Sequence, residues 1–219
     1  MSGPCFFGRN NEKGNLMKKF MCIVGLMGTL VLLPRAAQAE THNEWTGTEV
    51  LTSAQSEFSM FRASVTYFWI PKADVGMFMT YVGPKLELGD WGWISPQVGL
   101  ASNWKNDTDF FLTSVWGFAK FSDFTLFLEG DYYMAEGQNP DIYSFGALDY
   151  NWADYNAGIH SEGVDEIFGF GTHFGASSAL GDWGWHGEIQ YYVKPTGPPD
   201  ADGNTVIGHA LRVVNQLSF

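Results

Sequence analysis

Five residues in the second half of the chain carry side chains suited to proton transfer or metal binding: His160, Glu162, His173, His186 and Glu188. An imidazole beside a carboxylate can act as a general acid or base near neutral pH, or hold a divalent ion. His186 and Glu188 stand two apart, which puts both on one face of an extended strand. No pair among the five has a spacing diagnostic of catalysis or of a metal, so no metal ligand is assigned and no cofactor is expected. A second set, Arg62, Glu129, Asp131, Glu188 and Arg212, mixes both signs. If these side chains share an interior, they form a buried ion-pair network, because buried charges need partners. That structural role competes with a chemical one for Glu188.

The elements that position these groups follow a leader. Met17-Lys18-Lys19 is basic, and Phe20 to Leu33 is a run of about fourteen mostly apolar residues, the size of a signal-peptide core and short for a bilayer span. Pro34 ends the run and Ala37-Gln38-Ala39 offers a cleavage point, so residues 1–39 read as a cleaved signal peptide whose start is either Met1 or Met17. Cleavage would remove five of the 12 basic residues, one of the 24 acidic ones and both cysteines, Cys5 and Cys22, leaving a net charge near −16. A chain so acidic does not suit nucleic acid, where clustered Lys and Arg neutralise phosphate. Beyond Leu33 no apolar run is long enough for a spanning helix, so a membrane role requires a closed barrel.

Periodicity of two supports that. Ile94, Pro96, Val98 and Leu100 alternate with Ser95, Gln97, Gly99 and Ala101; Phe61, Ala63, Val65, Tyr67 and Trp69 alternate with Arg62, Ser64 and Thr66. Ten segments of this kind cover 57–70, 74–88, 91–103, 108–120, 123–135, 142–150, 155–162, 166–178, 184–194 and 205–219. The expected fold is an all-β, antiparallel up-and-down transmembrane barrel of ten strands over 57–219, or eight if the weak sixth and seventh segments are one loop. Residues 40–56 are left as an N-terminal periplasmic segment, either tail or plug.

Tight connections at Gly89-Asp90, Ser122-Asp123, Ala153-Asp154 and Gly181-Asp182 alternate with mostly longer polar ones at 105–108, 136–141, 162–166 and 195–204. Around the tight ones stand Trp91, Trp93, Phe121, Phe124, Trp152, Tyr155, Trp183, Trp185 and Phe219, the composition of an interfacial aromatic girdle. Leu88-Gly89-Asp90-Trp91-Gly92-Trp93 recurs as 180–185, read as a turn followed by two girdle rings.

On the leader, the alternating segments and the terminal Leu217-Ser218-Phe219, the chain resembles the broad class of outer-membrane β-barrel proteins of Gram-negative bacteria. The resemblance is architectural and implies insertion by the barrel-assembly machinery through Phe219, with outer-membrane lipid and lipopolysaccharide as partners. His160-Ser161 are adjacent, unlike the His-x-Ser motif of lipid A deacylases. Three functions follow as expectations. One is a small outer-membrane barrel of structural, adhesive or narrow-pore type. Another is an outer-membrane enzyme acting on lipid or peptide through the lumen His/Glu cluster. The last is a soluble periplasmic barrel binding a small apolar ligand. Oligomeric state is not legible.

Overall fold

A computed structural model describes residues 42–58, 60–105, 107–165, 167–195 and 205–219. The proposed leader and most of the 195–204 connection lie outside the described residues. Twelve strands are present among them: β1 (His42–Phe58), β2 (Phe61–Ile70), β3 (Val75–Pro84), β4 (Leu86–Glu87), β5 (Gly92–Asn103), β6 (Thr108–Phe121), β7 (Phe124–Met134), β8 (Asp141–Trp152), β9 (Tyr155–Val164), β10 (Ile167–Leu180), β11 (Trp183–Pro195) and β12 (Val206–Ser218). A single 3-10 turn at Pro71–Ala73 joins β2 to β3.

Eleven of these strands close into a barrel in the order β3-β2-β1-β12-β11-β10-β9-β8-β7-β6-β5, with β3 pairing β5 to complete the ring. The two-residue β4 pairs β5 alone, and its register, Leu86 opposite Ile94, continues that of Val82 opposite Val98. Closure leaves no open edge, which is what a strand-built wall needs if it is to satisfy its backbone groups internally.

All ten expected segments are strands, including the two that were weak in sequence, so the eight-strand alternative falls. The count of ten is also corrected. The eleventh strand is β1, drawn from the segment left outside the barrel at 40–56. It lies between β2 and β12, antiparallel to β2 and parallel to β12, with His42 opposite Val206 and Gln55 opposite Ser218. With an odd number of strands running alternately up and down, the first and last must meet in parallel at the seam. The register there shifts between Trp45 and Gly47, and Thr46 Oγ1 in the bulge donates to the His209 carbonyl at 2.9 Å. Hydropathy hid β1 because its outward positions include Thr48, Thr52 and Ser56, so neither parity stands out as apolar.

The hairpins sort into two ends. At one, the tight end, Phe121 pairs Phe124, Trp152 pairs Tyr155 and Leu180 pairs Trp183 across two-residue turns. Their first residues, Ser122 (φ 58°), Ala153 (φ 49°) and Gly181 (φ 69°), are left-handed. At the other end lie the 71–74, 104–107 and 135–140 connections. The 162–166 connection, expected to be long, is corrected: β9 runs on to Val164, which pairs Ile167.

Outward positions round the wall carry exposed apolar side chains, among them Val65, Phe78, Val98, Leu100, Val115, Leu128, Ile159, Phe174 and Ile189. Inward positions carry nearly all the buried polar groups, including Glu49, Arg62, Gln97, Ser114, Asp131, His160, Glu162, His173 and Arg212. The interior divides by chemistry. Met79, Tyr81, Leu112 and Trp116, with Phe127 and Tyr133, form an apolar side under β3 and β5–β7. Most of the charged lumen groups lie under β1 and β8–β12, with Arg62 on β2 and Glu129 and Asp131 on β7 set against the apolar side.

Candidate functional site

Four of the five chemical candidates, His160, His173, His186 and Glu188, come together, and Glu162 joins a different network. His160 and Glu162 point inward from β9, His173 from β10, and His186 and Glu188 from β11, three strands hydrogen-bonded in succession. Room for the rings is made by small residues directly across each pairing. His160 stands opposite Gly171, His173 opposite Gly158, Glu188 opposite Gly175 and His186 opposite Ser177. A Cβ on Gly158 would lie 2.6 Å from His173 Nε2, and one on Gly171 2.5 Å from His160 Nε2, so at these two positions the absent side chain is the space the imidazole occupies.

Two hydrogen-bonded chains run through the cluster. In the first, Asp149 Oδ1 meets His173 Nε2, and His173 Nδ1 lies 3.1 Å from His160 Nδ1. His160 stacks on Phe145 and meets the edge of Tyr192, and its Nε2 is buried with no protein partner. In the second, Ser177 Oγ lies 3.0 Å from His186 Nδ1, and His186 Nε2 lies 3.2 Å from Glu188 Oε2. Glu188 Oε1 accepts from Gln190 Nε2 at 2.6 Å. Asn156 Nδ2 joins the two chains, donating to Asp149 Oδ1 at 3.0 Å and Glu188 Oε2 at 3.5 Å. The His173 side chain is 1% exposed, Glu188 11%, Asp149 15% and His186 26%. His186 is three residues from Trp183, where β11 begins, so the cluster opens toward the tight end.

Glu162 belongs elsewhere. With Glu49 it holds the buried Arg212: Nε and Nη2 donate to Glu49 Oε2 at 3.0 and 2.7 Å, and Nη2 donates to Glu162 Oε1 at 3.0 Å. Nη1 lies 2.6 Å from Glu162 Oε2. Arg212 also sits over the rings of Phe68 and Tyr192. The single mixed-sign network expected from sequence is therefore divided. Asp131 is held by hydroxyls, from Tyr81 at 2.8 Å, Tyr133 at 3.4 Å and Ser114, and Glu188 belongs to the histidine cluster. Arg62 donates to Gln55 and lies 4.5 Å over Trp93 and 5.1 Å over Trp116. Glu129 stands two residues before Asp131 on the same inward face of β7.

Asp149, Glu49, Asn156 and Gln190 were not singled out in the sequence. Glu49 sits on the unrecognised β1. Asp149 sits on β8, where the inward parity holds Tyr143, Phe145 and Ala147 while the outward one holds Ser144 and Gly146, so alternation assigns the faces the wrong way round.

Of the girdle residues, Trp91, Trp152, Trp183 and Phe219 are exposed near the tight end, and Trp185 shares the outward parity of Ile189. Trp93 is corrected: it points inward, stacked on Phe118 beneath Arg62. The cause is one residue of loop. In the second copy of the repeat Leu180 pairs Trp183, whereas in the first the Leu88 N–H bonds to the Gly92 carbonyl at 2.8 Å around a three-residue loop. A slip of one residue reverses every side chain, so Trp93 and Trp185 face opposite ways from identical sequence.

Comparison with family models, curated proteins and solved structures returns no match. The fold itself defines the class: a closed all-β barrel of eleven strands, parallel at one seam and antiparallel elsewhere, with no α-helix among the described residues.

Proposed function

We propose that this chain is an outer-membrane barrel with a filled lumen, serving a structural or adhesive role rather than acting as a diffusion pore. One observation carries the reading: apolar side chains face outward on strand after strand while carboxylates, guanidiniums and imidazoles face inward. Solvent-exposed apolar surface on this scale marks contact with lipid or with another protein, and a belt that runs round a closed wall suits lipid. Exposed rings at the tight end, among them Phe61, Trp91, Phe121, Tyr155 and Trp183, suit a membrane–water boundary. A soluble carrier of small apolar ligands would need the reverse, a polar exterior and an apolar cavity. The leader expected over 1–39 and the assembly signal expected at Phe219 are in keeping with export and insertion, with lipid and lipopolysaccharide around the finished wall.

Contacts across the interior leave no room for a diffusion pore in this reading. Arg212 on β12 reaches Glu162 on β9, Tyr81 on β3 reaches Asp131 on β7, and Arg62 on β2 covers Trp116 on β6. Small barrels are filled by their own side chains in this way. Refolded protein should float with lipid vesicles after a carbonate wash and show no stepwise current in planar bilayers. Protein that stays in solution without detergent would overturn the membrane assignment, and steady conductance would overturn the filled lumen.

The chain Asp149–His173–His160 favours a second reading, lumen chemistry on lipid or peptide, because a carboxylate holding an imidazole is a common arrangement for proton transfer. Loss of turnover in His173→Ala and His186→Ala, with folding intact, is its test; equal turnover in wild type and both variants removes it.

A further inference from the structure

We propose that Asp149, His173 and Glu188 form a binding site for one divalent transition-metal ion, open toward the tight end of the barrel. One ligand atom from each lies within 4.8 Å of the others, drawn from β8, β10 and β11. One imidazole and two carboxylates make a mixed N/O donor set suited to Zn²⁺ or Mn²⁺, and three protein ligands leave a coordination position for water. Calcium and magnesium, which prefer oxygen donors alone, fit less well.

Two features beyond the three ligands support the assignment. One is the outer shell. A metal-bound histidine usually donates its other ring N–H to a fixed partner. With an ion on Nε2, His173 carries its proton on Nδ1, and His160 Nδ1 is in place to accept it at 3.1 Å. Asn156 braces both carboxylates and His186 braces Glu188. The other is charge. Among the described lumen residues, the carboxylates of Glu49, Glu57, Glu87, Glu129, Asp131, Asp149, Glu162 and Glu188 outnumber the cations Arg62, Lys85, Lys194 and Arg212, and Lys85 is already held by Glu57 and Glu87. Arg212 is already shared between Glu49 and Glu162. Asp149 and Glu188 are left beside one another with neutral amide donors and histidines, and a dication would offset both.

The site goes beyond the membrane reading and is tested separately, in detergent. Tag-free barrel freed of metal by chelator and equilibrated with low-micromolar Zn²⁺ should retain about one equivalent by mass spectrometry of the eluted ion. His173→Ala and Glu188→Gln should each lower retention tenfold or more. His160→Ala should weaken it less, and Glu136→Gln in the 135–140 connection not at all. Folding of each variant is read from its heat-modifiable gel mobility, and Asp149→Asn replaces any variant that does not fold. With Co²⁺ as probe, wild type should show visible d–d bands that His173→Ala lacks. Zinc retained equally by His173→Ala and Glu188→Gln, no zinc retained by folded wild type, or equal competition by Ca²⁺ would each overturn the proposal. None of these outcomes would touch the membrane assignment.

Discussion

His173 and Gly158 face each other across the β9–β10 pairing, with His173 Nε2 only 2.6 Å from the point where a Gly158 side chain would begin. Gly171 and His160 repeat the relationship two pairs along, on the same inward face, with the glycine and histidine exchanged between strands. Two imidazoles can therefore stack on each other within a lumen that large side chains otherwise fill.

Gly158→Ala should accordingly displace the His173 ring, and its Cβ would also press on the Leu148 carbonyl oxygen. Overpacking of this kind costs about 1–3 kcal/mol. The midpoint of urea unfolding in detergent should fall accordingly. Gly130→Ala, at an exposed site with nothing within 4 Å, should change it by less than about 0.5 kcal/mol. Equal effects at the two glycines would count against the packing of the His173 ring.

Arg212→Leu should be among the most damaging single changes in the wall. It leaves Glu49 and Glu162 buried without their shared cation, and breaking a buried pair by removing one partner costs about 3–5 kcal/mol. Adding Glu49→Gln and Glu162→Gln should recover part of that loss. A fully stable Arg212→Leu barrel would mean that water reaches the pair.

Ala153→Gly should stabilise. Ala153 holds φ at 49°, a left-handed conformation that costs a side-chain-bearing residue roughly 1–2 kcal/mol. Part of the relief is returned as unfolded-chain entropy, so the expected gain is about 0.5–1 kcal/mol, read as a higher melting temperature. A lower one would indicate that the Ala153 side chain makes contacts that outweigh its backbone strain.

The repeated hexapeptide offers a spectroscopic prediction. Trp185 faces out and Trp93 in, so in vesicles of brominated lipid Trp185→Phe should lower the quenched fraction of tryptophan fluorescence and Trp93→Phe should leave the quenched amplitude unchanged. Equal losses would place both rings on the same face.

Most of the wall was legible because its outward positions are apolar and its inward ones polar or small, as in Ile94–Ala101 and Trp183–Lys194. The failures have physical causes. β1 has Thr48 and Thr52 outside and Leu51 inside, so period two is blurred, and its pairing with β12 joins the two ends of the described chain with no local turn to announce it. Trp93 was misplaced because loop length, which sets register, cannot be read from a hexapeptide whose two copies close around two and three residues. The histidine cluster was visible as residue types on three successive strands. Its carboxylate partner Asp149 was not, because aromatics occupy the inward face of β8.

In the proposed outer-membrane barrel, outward side chains touch hydrocarbon while their neighbours are sheltered inside. Residues 40–219 contain no cysteine, so single nitroxide labels can be placed at Val98, Leu100, Val115 and Ile159 outside, and at Gln97 and Ser114 inside, in barrels reconstituted in lipid vesicles. Power-saturation EPR should find the first four relaxed by oxygen and shielded from a water-soluble nickel chelate, with the inner two shielded from oxygen. Nickel access at Val98, Leu100, Val115 and Ile159 equal to that of a label at Glu136 would contradict it.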